Sequence, residues 1–199
     1  LEVTGFKSIE KMDLKLGRLN VLIGGNGAGK SNFISLFRFI NRMAEGKLQV
    51  YTAQSGGVDS LFRFGPKHTG KISVKLDFGA QNYRFSLIPT RENTVAFDEE
   101  KYTITQENNA GKQREIVLGS GHKESLLPAE TKKDSGKPAQ ELLEKIKSWK
   151  NHHFHDTGDT SKVKGLCNIN DNMALNPDAS NLAAYLYYLK EAHHQYYEN

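Results

Sequence analysis

The chain has 199 residues, of which 37% are hydrophobic and 25% charged, and this composition fits one globular domain and excludes a disordered or collagen-like chain. The mean hydropathy is -0.60, and no apolar run approaches the ~20 residues that cross a bilayer, which excludes a transmembrane helix. The net charge of +4 is compatible with phosphate ligands or nucleic acid and requires neither.

Cysteine usage limits the possible chemistry. Cys167 is the only cysteine, so the sequence predicts neither an internal disulfide nor a cysteine-pair zinc site. It lies in a polar stretch with no histidine or asparagine at a catalytic signature, which argues against a thiol nucleophile. Because no secretory signal pattern is present at the start of the sequence, we expect a cytoplasmic protein without a membrane partner.

The first 45 residues predict strands followed by a helix. Alternating apolar residues at 1–5 and 14–16 predict two antiparallel edge strands, and the apolar run 19–23 predicts a buried strand. A helix is predicted over Lys30–Met43, because apolar residues recur there at helical spacing. The residues expected on its apolar face are Phe33, Ile34, Phe37, Ile40 and Met43.

In the middle of the chain, apolar residues recur at every second position. Alternation over residues 71–118 predicts an antiparallel meander. Residues 119–137 are polar and interrupted by Pro128, so they predict a mobile surface loop.

Two helices are predicted towards the end. Pro138 suits the first position of a short helix with Leu142, Leu143 and Ile146 facing inward. A second helix is predicted after Pro177, running towards Ala192. Its apolar residues at i, i+3, i+4 and i+7 are Leu182, Tyr185, Leu186 and Leu189.

One motif carries specific chemistry. Residues 24–31 satisfy G-x-x-x-x-G-K-[ST] between a predicted strand and a predicted helix, which is the context that a phosphate-binding P-loop requires. Lys30 would reach the β- and γ-phosphates of ATP, and Ser31 would bind Mg²⁺. A plain glycine-rich turn is the alternative, and it does not explain Lys30 and Ser31. The residues expected to bind the nucleotide are Asn26, Gly27, Ala28, Gly29, Lys30, Ser31 and Asn32.

A family resemblance follows from these residues. Residues 5–9 and 19–33 resemble the opening of ABC-class ATPases of the SMC, RecF and OLD-like branch. Downstream, Trp149, residues 153–157 and residues 176–186 resemble a bacterial group of AAA-type ATPases in that branch. The resemblance implies a mixed α/β P-loop NTPase of the ABC-head type with an antiparallel meander beside the P-loop core.

The resemblance also implies further site residues. It places Lys7 and Ser8 beside the nucleotide, and an exposed turn between two strands is the alternative. Arg63 could lie near phosphate or DNA, although a solvated arginine at a helix end is the favoured interpretation.

The resemblance implies a single N-terminal lobe over residues 1–199. Its segments would be 1–45 with the P-loop, 46–118 with a helix and the meander, the loop 119–137, and the helical segment 138–199. The signature segment, the Walker B strand and the switch histidine of the family do not occur here, so the chain looks like part of a longer ATPase and its catalytic carboxylates stay unassigned. Residues 94–100 resemble a Walker B strand, because acidic residues follow a short apolar run, but a hairpin strand with an acidic turn is favoured.

Histidines are the remaining candidates for a metal site. His152, His153 and His155 with Asp156, and also the pair 193–194, carry donors that suit a transition metal. Surface histidines are favoured instead, because the resemblance ties none of these residues to a metal.

The expected function is ATP hydrolysis coupled to dimerisation of two heads, in DNA repair or in defence against foreign DNA. The alternative is a nucleotide-gated module that hydrolyses little ATP and changes how tightly it binds DNA or an effector protein. A P-loop kinase or GTPase is disfavoured by Asn26 and by the antiparallel meander. The expected partners are nucleotide with Mg²⁺, a second head, non-specific DNA and an effector protein.

Overall fold

The chain forms two compact units. A computed structural model describes residues 1–105, 113–133, 136–152 and 161–197. The first unit is Leu1–Trp149 and the second is Lys150–Asn199. None of the helices within the described ranges has both the length and the apolar character needed to cross a membrane.

A six-stranded antiparallel sheet forms the first unit, with the strand order β2-β1-β3-β4-β5-β6. Its strands are β1 (Glu2–Phe6), β2 (Ile9–Asp13), β3 (Ile72–Asp77), β4 (Gln81–Pro89), β5 (Val95–Thr105) and β6 (Gln113–Gly119). The sheet confirms the mixed α/β class and the antiparallel meander. Of the first two strands only β2 lies at an edge, because β1 pairs with β2 on one side and β3 on the other. The prediction of a strand over residues 14–16 is wrong, because the chain turns back at Lys7 and Ser8 and β2 is complete at Asp13.

Helices accompany the sheet in the described part of this unit: α1 (Lys30–Ala44), α2 (Leu48–Gln54), α3 (Val58–Leu61), α4 (Leu127–Glu130) and α5 (Lys137–Lys147). Helix α5 begins with proline in its first turn and buries its apolar residues as predicted. Asn41 of α1 donates a hydrogen bond to the carbonyl of Trp149, at 3.0 Å, so the end of the first unit is attached to α1.

Helix α1 has the predicted length but a shifted apolar face. Its buried residues are Leu36, Phe39, Ile40, Met43 and Ala44. The prediction that Ile34 faces the core is wrong, since its side chain is 39% exposed. The reason is that Phe39 is the contact with the sheet, with its ring 5.1 Å from that of Phe6 and 6.4 Å from that of Phe85. Phe37 instead meets Trp149 edge-on at 5.2 Å.

The prediction of a buried strand over residues 19–23 is wrong. The segment forms no strand, and Leu19, Val21 and Ile23 are 84%, 72% and 91% exposed. The sheet ends at edge strand β2, and no strand of the described residues pairs with residues 19–23. An apolar run becomes a buried strand only where a neighbouring strand satisfies its backbone groups.

Residues 119–133, expected to lie in a mobile surface loop, instead pack against the sheet. Two backbone hydrogen bonds tie the segment to Phe97 of β5, one donated by Gly121 and one accepted by His122. The carboxylate of Glu124 accepts hydrogen bonds from the first backbone amides of α2, at 2.8 and 3.0 Å. Leu127 of α4 is fully buried. Polar composition predicted exposure here, but the polar groups are used to dock the segment.

The second unit contains a short 3-10 helix (Lys162–Lys164) and the helices α6 (Leu182–Ala192) and α7 (His194–Tyr197). Asn181, before α6, is fully buried and uses its amide to bind the backbone of Asp171, Ala174 and Asn176. Helix α6 occurs where predicted, but Ala184 is its only buried residue among the described ones. On its predicted apolar face, Leu182, Tyr185 and Leu189 are half-buried and Leu186 is exposed.

Candidate functional site

The glycine-rich loop of residues 24–29 leads directly into helix α1. Gly27 and Gly29 have φ angles of 84° and 90°, in the left-handed region that favours glycine. Gly29 is the N-cap residue of α1, and the amide of Ala28 donates to the carbonyl of Gly25 at 3.3 Å. The glycines thus allow the turn that leads into α1.

The N-terminus of α1 is open. No side chain caps it and its first turn carries no acidic residue. Phe33 donates its amide to the carbonyl of Gly29, whereas the amides of Lys30, Ser31 and Asn32 meet no acceptor in the part of the chain that the structure describes. Free amides and the positive end of the helix dipole together attract an anion.

The Lys30 ammonium folds back over this loop. Its Nζ atom donates hydrogen bonds to the carbonyls of Gly24, at 2.6 Å, and Gly25, at 2.8 Å. These are neutral acceptors, and a phosphate oxygen would make a stronger, charge-assisted hydrogen bond. The lysine is therefore already beside the position where an anion would meet the helix amides.

The turn between β1 and β2 lies against the same loop. Asn32 Nδ2 donates to Ser8 Oγ at 2.7 Å, and a Cβ on Gly29 would lie 3.2 Å from that oxygen. Lys7 has a positive φ of 49° and donates its amide to the carbonyl of Leu61 at 2.7 Å. The structure thus brings Ser8 beside the P-loop, while nucleotide contacts by Lys7 and Ser8 stay predictions.

Two cations near this turn have different surroundings. Burial lowers the pKa of Lys7, and the nearby Arg38 charge acts in the same direction. Arg63 pairs with Glu10 at 2.9 Å and lies 4.4 Å from the centre of the Phe64 ring. Arg63 is therefore held by an acidic and an aromatic partner rather than solvated.

The acidic residues 98–100 lie within β5 and do not form the turn that the sequence predicts. Asp98 pairs with Lys71, and Glu99 pairs with Lys101. Among the described residues, no hydrogen bond or ion pair joins a carboxylate to residues 24–32. The structure therefore assigns no carboxylate to the activation of a water molecule at the P-loop.

Glu100 is a buried carboxylate that the sequence does not reveal. It accepts hydrogen bonds from the hydroxyls of Tyr83 and Ser125, from the His122 ring and from the amide of Leu126. Burial, together with the adjacent Glu100 charge, raises the pKa of Tyr83 well above its ordinary value. Tyr83 therefore stays protonated and donates to Glu100.

The candidate metal ligands do not come together in the described part of the chain. His153, His155 and Asp156 lie outside the described residues. The ring of His193 contacts those of Tyr188 and Tyr196. Where the chain is described, no three histidine, cysteine or acidic residues are grouped to hold a metal ion. Cys167 is a half-buried free thiol.

Comparisons with known proteins agree with the P-loop geometry. A search of curated proteins finds no match. The model of the family described as "AAA domain, putative AbiEii toxin, Type IV TA system" matches residues 19–127, more than half of the chain. The matched region contains the loop, α1 and the strands β3 to β6. The chain therefore belongs to this family and carries an AAA-type P-loop ATPase domain.

Proposed function

We propose that this chain binds ATP with Mg²⁺ through residues 24–32 and forms part of an ATPase. The observation that supports this most directly is the open N-terminus of α1, with three free amides beneath a glycine loop and the Lys30 ammonium folded over it. A triphosphate satisfies this donor set, because its oxygens accept from amides and ammonium alike.

Different residues around the loop would bind the phosphates and the Mg²⁺ ion. The amides of the first turn and Lys30 hold the phosphates, and the exposed Ser31 hydroxyl is suited to ligate Mg²⁺. When bound, Mg²⁺ neutralises charge on the phosphate oxygens. Gly27 and Gly29 leave room for the phosphates, since neither carries a side chain over the loop.

We expect residues 1–199 to bind Mg²⁺ and ATP but to hydrolyse ATP near the background rate. Attack by water needs a residue that positions it, and no carboxylate contacts the P-loop in the described part of the chain. The measurement is steady-state phosphate release by purified residues 1–199, with Lys30→Ala as the control for contaminating ATPases. Lys30-dependent release at about 1 per second or faster would contradict this expectation, and Asp98, Glu99 and Glu100 would be mutated next.

The wider role is part of the same proposal. We propose that ATP binding joins two heads and that the full ATPase serves in DNA repair or in defence against foreign DNA. The family description, which names a toxin, supports the defence role. A nucleotide-gated switch acting on DNA or an effector protein is the second candidate, and it is favoured by the lack of a carboxylate at the loop within the described residues.

Binding to DNA, if the switch acts there, is expected to be electrostatic and independent of sequence. The chain has a net charge of only +4, and its sequence shows no helix-turn-helix or zinc-finger pattern. Affinity for a duplex should fall steeply as salt rises from low to physiological concentration. A filter-binding series would check this, and a flat salt response or a preference for one sequence would contradict it.

A further inference from the structure

The side chain of Asn32 is hydrogen-bonded to the β1–β2 turn. Its Nδ2 atom is already engaged with Ser8 Oγ at 2.7 Å, across the boundary between α1 and the β1–β2 turn. The two residues are 24 positions apart in sequence, so this hydrogen bond is a tertiary contact.

The hydrogen bond occupies one lone pair of the Ser8 oxygen and leaves the hydroxyl hydrogen available to donate. A serine hydroxyl has one hydrogen to donate, and its oxygen here accepts from Asn32. No acceptor for that hydrogen occurs among the described residues. The Ser8 oxygen lies close to Gly29, whose Cβ position would be 3.2 Å away, and Gly29 precedes the free amides of α1.

The turn that carries Ser8 is held from both sides. The amide of Lys7 donates to the carbonyl of Leu61, while Asn32 holds the Ser8 hydroxyl from α1. Lys7 has a left-handed φ of 49°, which costs free energy in a residue other than glycine and therefore needs such support.

We propose that Asn32 is a positioning residue, which orients the Ser8 hydroxyl so that it donates to a phosphate oxygen of the nucleotide bound at the P-loop. This inference rests on the proposed function. It assigns the phosphate contact to Ser8 and gives Asn32 an indirect role through it.

The test is a double-mutant cycle on the dissociation constant of ATP with Mg²⁺. We expect Ser8→Ala and Asn32→Ala each to weaken binding about tenfold, because each removes the same charge-assisted hydrogen bond. The double variant should lose no more than either single variant. Ser8→Thr keeps the hydroxyl and should bind within about twofold of the wild type.

The thermal midpoint without nucleotide distinguishes positioning from a structural role. It should fall by no more than about 4 °C in any variant, because the Asn32–Ser8 hydrogen bond is exposed and contributes about 1 kcal/mol or less, and the Leu61 carbonyl still holds the turn. If the wild type binds in a Lys30-dependent way but the two losses multiply in the double variant, Asn32 acts independently of Ser8 and the inference is overturned. Failure of the wild type to bind at all overturns the proposed function, and this inference with it.

Discussion

Glu100→Ala should lower the free energy of unfolding by about 3–5 kcal/mol, although Glu100 lies outside the P-loop. The substitution removes a carboxylate that accepts from Tyr83, Ser125, His122 and the Leu126 amide. The buried hydroxyls of Tyr83 and Ser125 would keep only their mutual contact at 3.4 Å, and a buried donor without a good acceptor costs about 1–3 kcal/mol. The segment 119–133 should also detach from β5, because three of the donors belong to it.

Glu99→Ala is the matched control for this prediction. Glu99 is the preceding residue of the same strand, but its side chain is 43% exposed and paired with Lys101, so its removal should cost about 1 kcal/mol or less. Urea unfolding followed by the fluorescence of Trp149, the only tryptophan, reports the first unit, where its ring contacts Phe37 and Phe78. Equal stability of Glu99→Ala and Glu100→Ala would show that the hydrogen bonds to Glu100 do not hold residues 119–133 against β5.

A β-bulge explains why the burial of Glu100 cannot be predicted from the sequence. Strict alternation along β5 would place Glu99, rather than Glu100, on the same side as the buried Phe97. The pairing with β4 slips at this point, with Leu87 opposite Phe97 but Ser86 opposite Glu99, so Asp98 is the extra residue. The slip turns Glu100 to the buried side, and a bulge of this kind has no composition signal in residues 94–100.

Local patterns predicted the elements whose partners are close in sequence. The meander follows from alternation, and α5 from Pro138 with its inward leucines. The glycine-rich turn into α1 follows from the motif, whereas phosphate binding by Lys30 and Ser31 stays a prediction. These elements depend on short-range rules, so the sequence alone was sufficient.

Long-range partners could not be predicted in the same way. Residues 19–23 carry the composition of a buried strand, but whether they become one depends on a neighbouring strand. The buried face of α1 depends on Phe39 meeting Phe6 and Phe85, which are distant in sequence. The contact between Asn32 and Ser8 is also long-range, and the spacing of the two residues along the sequence does not predict it.

Lys30→Ala should remove most of the affinity for ATP with Mg²⁺. The ammonium lies over the loop within 2.6 and 2.8 Å of the Gly24 and Gly25 carbonyls, where phosphate oxygens would replace these acceptors. Loss of a charge-assisted contact to phosphate costs ~2–3 kcal/mol, which weakens binding about 30- to 150-fold. The fold should be unaffected, because Lys30 makes its hydrogen bonds only within the exposed loop.

Lys47→Ala controls for the loss of one positive charge. Lys47 lies beyond the opposite end of α1, and a helix of 15 residues spans roughly 22 Å, so its removal should leave nucleotide affinity within about twofold of the wild type. The decisive measurement is calorimetric titration of the wild type, Lys30→Ala and Lys47→Ala with ATP and Mg²⁺. We predict that only Lys30→Ala loses binding. Equal affinity in the wild type and Lys30→Ala would show that the P-loop of residues 24–31 is not the nucleotide site.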